Sequence, residues 1–351
     1  MYKKSVLRII DENVNRLSEG LRVLEEVARM ILNDAGLTGR LKTLRHELIR
    51  ADLSFNLGLL AARDSAADVG AELQVAGEQE EKDLSLLAIA NSRRIQEALR
   101  VLEEFSKLPD LKVNLDSDRF RRARFEIYRI EQELISKLTR RDKAQKIKGL
   151  YVILDTDALN SRDHLEVARQ LIRAGVRIIQ LRDKTTDKSK LIALAANLQE
   201  LCRQNGVLFI MNDYLDIALA VKADGLHIGQ NDFPLKEARR LLPITSILGC
   251  SVTTVEQAQY AQEAGADYLG VGSMYPTSSK ENARVIGPGR LLQIKQAIDL
   301  PVVAIGGIGK QNVREVLQAG ADSICVISAV LNAPDIFRAA REMIEIIEAK
   351  K

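Results

Sequence analysis

The chain has 351 residues, 46% of them hydrophobic, which is enough for a full core with material left for a second domain. Its 51 Lys and Arg against 48 Asp and Glu leave a net charge of +3, too balanced for the basic footprint of a nucleic-acid binder, so small molecules are the expected partners. Three cysteines without CxxC spacing, and no apolar run near the roughly 18 residues of a membrane span, point to a cytoplasmic protein with no disulfide framework, structural zinc or membrane contact.

The first stretch, MYKKSVLRIIDENVNR, has its apolar run interrupted too early for a signal peptide. From there to about residue 145 glycine is scarce and apolar residues recur every three or four positions, the period of amphipathic helices. Val14, Leu17, Leu21, Leu24 and Ala28 form one such stripe, with Arg16, Glu19, Arg22 and Glu25 on other faces. The segment repeats itself: 13–26 aligns with 91–104 at an offset of 78, and 40–47 with 119–126 at an offset of 79. An all-helical domain over 1–145, built from a duplicated helical hairpin, is therefore expected. The stretch 62–81 reads as a surface loop, in which Arg63, Asp64, Asp68 and Gly70 are better suited to turn capping than to a ligand site. No metal spacing, nucleophile arrangement or phosphate loop stands out in this half. A homo-oligomerisation role, docking of a pathway enzyme or a barrel-supporting role is favoured over a second activity.

After Gly149 short β-branched runs alternate with helical patterns and glycine turns. Eight strands are expected, at Leu150–Leu154, Ile178–Leu181, Leu208–Met211, Gly225–Ile228, Ile247–Cys250, Tyr268–Val271, Val302–Ile305 and Ile324–Ile327. Eight βα units in 146–351 have the rhythm of a TIM (β/α)8 barrel, with a doubly wound sheet as the competing arrangement.

In such a barrel the chemistry gathers where strands end, so the polar residues after each apolar run belong together. The second strand runs into Gln180, Arg182 and Lys184, an amide and two cations in alternation. The third and fourth deliver Asn212, Asp213 and Asp232, and two carboxylates at neighbouring strand ends suit a shared Mg2+, although a lone aspartate there more often caps a helix. The fifth carries Ser251, and the sixth a long loop with Thr277, Ser279 and Lys280, whose hydroxyls and ammonium suit anionic oxygens. The last two bring Gly306, Gly307 and Gly309, then Ile327 and Ser328, at the usual place for a phosphate.

The ordered series QLRDK, IMND, ADGLHIGQND, GCS, GSMYPTSSK, AIGGIG and VIS resembles the thiamine-phosphate synthase family over about 200 residues from Gly149 onward. The resemblance implies coupling of a hydroxymethylpyrimidine diphosphate to a thiazole phosphate, or its carboxylated form, with release of pyrophosphate. It implies Mg2+ on Asp213 and Asp232, and the diphosphate on Arg182, Lys184, Asn212 and Lys280. Gln180, Ser251, Thr277 and Ser279 would line the pyrimidine-diphosphate and lid region, and Gly307, Ile327 and Ser328 would hold the thiazole phosphate. Ser279 stands where the family usually has Thr, which keeps the hydroxyl. Dissociative loss of the diphosphate needs no protein nucleophile, so none of the cysteines should be essential. Thiazole tautomerases resemble the same barrel, but an isomerase has no diphosphate to hold and would not need Arg182, Lys184, Lys280 and both aspartates together.

Overall fold

The computed structural model describes residues 2–49, 53–62, 83–108, 115–277 and 284–349. The chain divides into two compact units, Met1–Thr139 and Arg140–Lys351.

The first unit is helical. Helix α1 (Tyr2–Glu26) runs on into one turn of π-helix (Val27–Ile31) and is followed by α2 (Ala35–Leu48), α3 (Leu53–Ala62), α4 (Leu84–Phe105) and α5 (Ser117–Gln145), the last of which continues past the unit boundary. Asp34 and Asp83 cap α2 and α4, accepting from the amides of Leu37 and Leu86. The duplication read in the sequence is carried by the packing. Leu17, Leu21 and Leu24 of α1 are fully buried, and so are their counterparts 78 positions on, Ile95, Leu99 and Leu102 of α4. The polar groups repeat as well. Asn13 donates to the Ile9 carbonyl at 2.8 Å and Asn91 to the Leu87 carbonyl at 2.9 Å. Buried Glu25 pairs with Arg45 at 2.9 Å, and buried Glu103 with Arg124 at 3.0 Å. Residues 63–82, which include Arg63, Asp64, Asp68 and Gly70, lie outside the described residues.

The second unit is a closed barrel of eight parallel strands: β1 (Gly149–Asp155), β2 (Ile178–Arg182), β3 (Leu208–Asn212), β4 (Gly225–Ile228), β5 (Ile247–Val252), β6 (Tyr268–Val271), β7 (Val302–Ile305) and β8 (Ser323–Val326). Pairing of β8 with β1 closes the ring and rules out the open, doubly wound sheet. Helices α6 (His164–Ala174), α7 (Lys188–Gln204), α8 (Leu215–Ala220), α9 (Leu235–Leu241), α10 (Val255–Glu263), α11 (Gly287–Ala297), α12 (Val313–Gln318), α13 (Ser328–Leu331) and α14 (Ile336–Glu348) complete the unit. Alternate strand residues serve two cores. Tyr151, Ile178, Leu208, Ile247, Tyr268 and Cys325 belong to one cluster, and Val152, Ile179, Phe209, Leu248, Leu269 and Ile324 pack in the other with helix residues such as Leu171 and Leu198. Burial on both faces explains why the strands read as unbroken apolar runs.

The end of α5 is joined to the rest of this unit by two ion pairs. Arg140 lies 2.9 Å from Asp267 and Lys143 lies 3.3 Å from Asp224. The compact units divide before Arg140, whereas the helix itself ends at Gln145.

Candidate active site at the strand ends

Asp155 and Arg182 close β1 and β2 as register partners, and the Arg182 guanidinium donates to the Asp155 carboxylate. Asp155 is buried and also accepts from the Ala158 amide at 3.1 Å, so the cation is anchored rather than solvated. Asp183, the next residue, is buried too. It accepts from the amides of Thr185 and Thr186 at 2.9 and 2.8 Å and from the Thr156 hydroxyl at 2.7 Å. Burial raises its carboxyl, but these hydrogen bonds outweigh that and hold it down at about 2. Asp183 thus shapes the turn between Arg182 and Lys184. Lys184 is exposed, with its ammonium 3.7 Å from an Asp213 oxygen.

Asp213 has a φ of +60°, a left-handed conformation that Asp tolerates better than most residues, and its amide donates to the His227 carbonyl at 2.9 Å. The Asp213 carboxyl is pushed up to about 6 by burial and by the hydrogen bond and charge of Asp232, against the pull of Lys184 and Arg182. Asp232 accepts from the Gly229 amide at 2.7 Å within its own loop. Neither carboxylate caps a helix, contrary to the commoner use of a lone aspartate. The cap position of α8 is Tyr214 and that of α9 is Pro234, both without a side-chain cap bond. Two oxygen-donor carboxylates that repel one another fit a hard divalent cation. No group of three or more His, Cys, Asp or Glu suited to a metal occurs among the described residues. Two carboxylates with substrate oxygens and water match Mg2+ better than an all-protein cage. Asn212 ends β3 half-buried, as the register partner of His227.

Gln180 and Ser251 sit at two ends of a polar chain through the barrel. Gln180 is buried and donates through Nε2 to Tyr151 Oη at 2.7 Å. Tyr151 Oη lies 3.2 Å from Tyr268 Oη, which lies 3.1 Å from His227 Nδ1. His227 Nε2 is 2.9 Å from Ser251 Oγ. Beside it, burial pushes the Cys250 thiol up to about 11, which is inert chemistry.

Thr277 is the last described residue before the loop that carries Ser279 and Lys280, which lie outside the described residues. The approach to that loop runs along β7, with the Met274 amide on the Ile305 carbonyl and the Tyr275 amide on the Gly306 carbonyl, each at 2.9 Å. Gly306 and Gly307 have φ of +101° and +63°, and a Cβ at Gly307 would meet the Pro276 carbonyl at 2.5 Å, so this crossing requires glycine. Asn312 braces the turn, donating to the Gly307 carbonyl at 3.0 Å and accepting from the Gly309 amide at 2.8 Å. Ile327 and Ser328 start α13 directly after β8, the neighbour of β7.

Four of the residues around this site do not stand out in the sequence. Asp155 obeys the strand-end rule at β1, and Asp183 stands between two predicted residues. Tyr151 and Tyr268 sit inside strand runs, where a polar tip is masked by apolar neighbours, whereas His227 lies in the ADGLHIGQND motif.

The family described as Thiamine monophosphate synthase (TMP-TENI) matches residues 150–330, and the ThiD2 family matches residues 8–133. The chain is 37% identical over 328 residues to a thiamine-phosphate synthase of Nostoc sp., covering 93% of this chain and 90% of that protein. It is 48% identical over 200 residues to a thiamine-phosphate synthase of Methanospirillum hungatei, covering 57% of this chain and 97% of that one. A solved thiamine phosphate pyrophosphorylase from Pyrococcus furiosus is similar with a TM-score of 0.55 and 41% identity, covering 59% of this chain and 98% of that chain.

Proposed function

This chain belongs to the thiamine-phosphate synthase family, and we propose that the ends of β2, β3 and β4 hold its pyrimidine diphosphate while the ends of β7 and β8 hold its thiazole phosphate. The reaction forms thiamine phosphate from these two small molecules and releases pyrophosphate. The observation that carries the site assignment is the pair Asp213 and Asp232, with the Asp213 carboxyl at about 6 and Lys184 3.7 Å away.

Asp213 and Asp232 would hold Mg2+. When bound, that ion supplies positive charge to diphosphate oxygens as the leaving group separates. Arg182, anchored by Asp155, and Lys184, carried on the Asp183 turn, meet the same growing charge from the β2 side. Asn212, Thr277, Ser279 and Lys280 complete the diphosphate contacts in this proposal, with Gln180 and Ser251 on the pyrimidine. Loss of pyrophosphate leaves a pyrimidine-stabilised cation that the thiazole nitrogen captures at close range. Gly307, Ile327 and Ser328 hold the thiazole phosphate, free or on its carboxylated form, so that the nitrogen is in reach. No cysteine takes part, since all three are free and buried, and burial raises their thiols. Free, buried thiols support a reducing, cytoplasmic setting, and no helix among the described residues is long and apolar enough to cross a membrane.

For the helical unit we infer self-association or docking of another pathway enzyme, supported by exposed Met30, Phe125 and Tyr128. The mass of the full chain in solution, alone and with added pathway enzymes, tests this.

The site is tested by incubating purified protein with Mg2+, hydroxymethylpyrimidine diphosphate and thiazole phosphate, following thiamine phosphate and pyrophosphate. Equal release of both products, lost in folded Asp213→Ala and Lys184→Ala variants, is expected. Full activity in the Asp213→Ala variant would remove the metal assignment.

A further inference from the structure

The hydrogen-bonded chain inside the barrel has a direction. Gln180 Nε2 is a donor to Tyr151 Oη, and the other hydrogen-bond partner of that hydroxyl among the described residues is Tyr268 Oη. A neutral phenol has one proton to give. If Tyr268 donated to Tyr151, the fully buried Tyr151 proton would have no acceptor, which a buried hydroxyl rarely tolerates. Tyr151 therefore donates to Tyr268, and Tyr268 donates to His227 Nδ1 at 3.1 Å. With Nδ1 accepting, the imidazole proton is on Nε2, which donates to Ser251 Oγ at 2.9 Å. Burial keeps both phenols protonated by raising their titration well above the ordinary range.

The arrangement is built into the strands. A Cβ at Gly249 would come within 2.2 Å of Tyr268 Cζ and 2.5 Å of His227 Nδ1, and a Cβ at Gly270 within 2.9 Å of His227 Cε1. Two inward positions on β5 and β6 are thus left without side chains, and the two rings fill that space.

We infer that Tyr151, Tyr268 and His227 are positioning residues that fix Ser251 as a hydrogen-bond donor, with its own proton aimed at an acceptor atom on the pyrimidine substrate. This rests on the site assignment above, in which Ser251 faces that substrate. With an Oγ lone pair occupied by His227, the serine proton is the group left to give. A substrate presenting a donor at that point would lose the bond and leave the serine proton unpaired, so the chain selects a ring or oxygen acceptor.

The test is a double-mutant cycle on the full chain, with steady-state coupling kinetics in both substrates. Tyr268→Phe keeps the ring packing and removes only the hydroxyl that sets the His227 tautomer. It is expected to lower kcat/KM for the pyrimidine diphosphate roughly tenfold, about the effect of one hydrogen bond, with KM for the thiazole phosphate unchanged. In a Ser251→Ala background the same change is expected to cost less than about twofold, because its effect runs through Ser251. His227→Gln, which keeps a donor near the Nε2 position, is expected to retain more activity than His227→Asn. Undiminished loss from Tyr268→Phe in the Ser251→Ala background would overturn the inference, as would an equal fall in kcat/KM for both substrates accompanied by a raised KM for the thiazole phosphate. Wild-type protein that does not couple the substrates would instead overturn the site reading beneath it.

Discussion

Asp213 holds its proton to about 6 because burial and the Asp232 carboxylate disfavour its charged form. A carboxyl whose folded pKa is raised above 3.8 weakens the metal-free fold at pH above about 6, and that cost fades as pH falls toward the unfolded value. A cation that neutralises the pair removes the cost. Mg2+ is therefore expected to raise the melting temperature more at about pH 7.5 than at about pH 5, where it must displace a proton. Asp213→Asn should abolish that difference; an equal Mg2+ shift at both values in wild type would count against the pair as the ligand set. The two cations at β2 differ in another way. Arg182→Ala strands buried Asp155 and is expected to cost about 1–3 kcal/mol in denaturant unfolding as well as activity. Lys184→Ala, at an exposed position, is expected to leave stability within about 0.5 kcal/mol while raising KM for the diphosphate. The sequence revealed these cations through their place after an apolar run. What it hid was the partner of each, because Asp155 is 27 positions away from Arg182 and its proximity arises only from the β1–β2 register.

At the scale of elements, periodicity was sufficient to find the strands, each within two residues of its observed ends, and the helical hairpins. The offset of 78 also carried more than the alignment of apolar stripes, since the Glu103–Arg124 pair reproduces Glu25–Arg45. The π-helical turn at Val27–Ile31 was not legible, since its residues fit an α-helix equally well. Burial raises the Glu103 carboxyl, but the hydrogen bond and charge of Arg124, with Arg100 and Lys107, bring it below 4.5 overall. A depressed folded value contributes stability above the unfolded pKa and loses it as pH falls through the folded one. The helical unit is expected to weaken below about pH 4.5, and Glu103→Gln to remove part of that dependence and cost roughly 2–4 kcal/mol at neutral pH. Circular dichroism melts of both proteins across pH check this. A Glu103→Gln variant that melts like wild type at neutral pH would make the buried pair a passive one.

For the whole molecule, the place where the chain can be cut follows from charge rather than from helix ends. Asp267 is buried, which raises its carboxyl, and it is held by Arg140, by Arg239 at 3.3 Å and by the Leu248 amide at 2.8 Å. Asp224 faces Lys143 and also accepts from the Phe209 amide at 3.2 Å. A barrel beginning at residue 146, where the change of composition suggests a boundary, therefore loses both basic partners from α5. One beginning at residue 138 keeps them. The Methanospirillum relative, 97% covered by a 200-residue match, is a synthase of about barrel size, so the comparison tests stability rather than the need for a second unit. The longer barrel is expected to melt about 3–10 °C above the shorter, corresponding to roughly 1–3 kcal/mol for a buried carboxylate left with fewer partners. Arg140→Met in the longer barrel should reproduce most of the loss, because Lys143 is more exposed and its pair contributes less. Coincident melting of the two barrels would show that Arg239 and the Leu248 amide suffice for Asp267, and that the end of α5 adds geometry to this unit without adding stability.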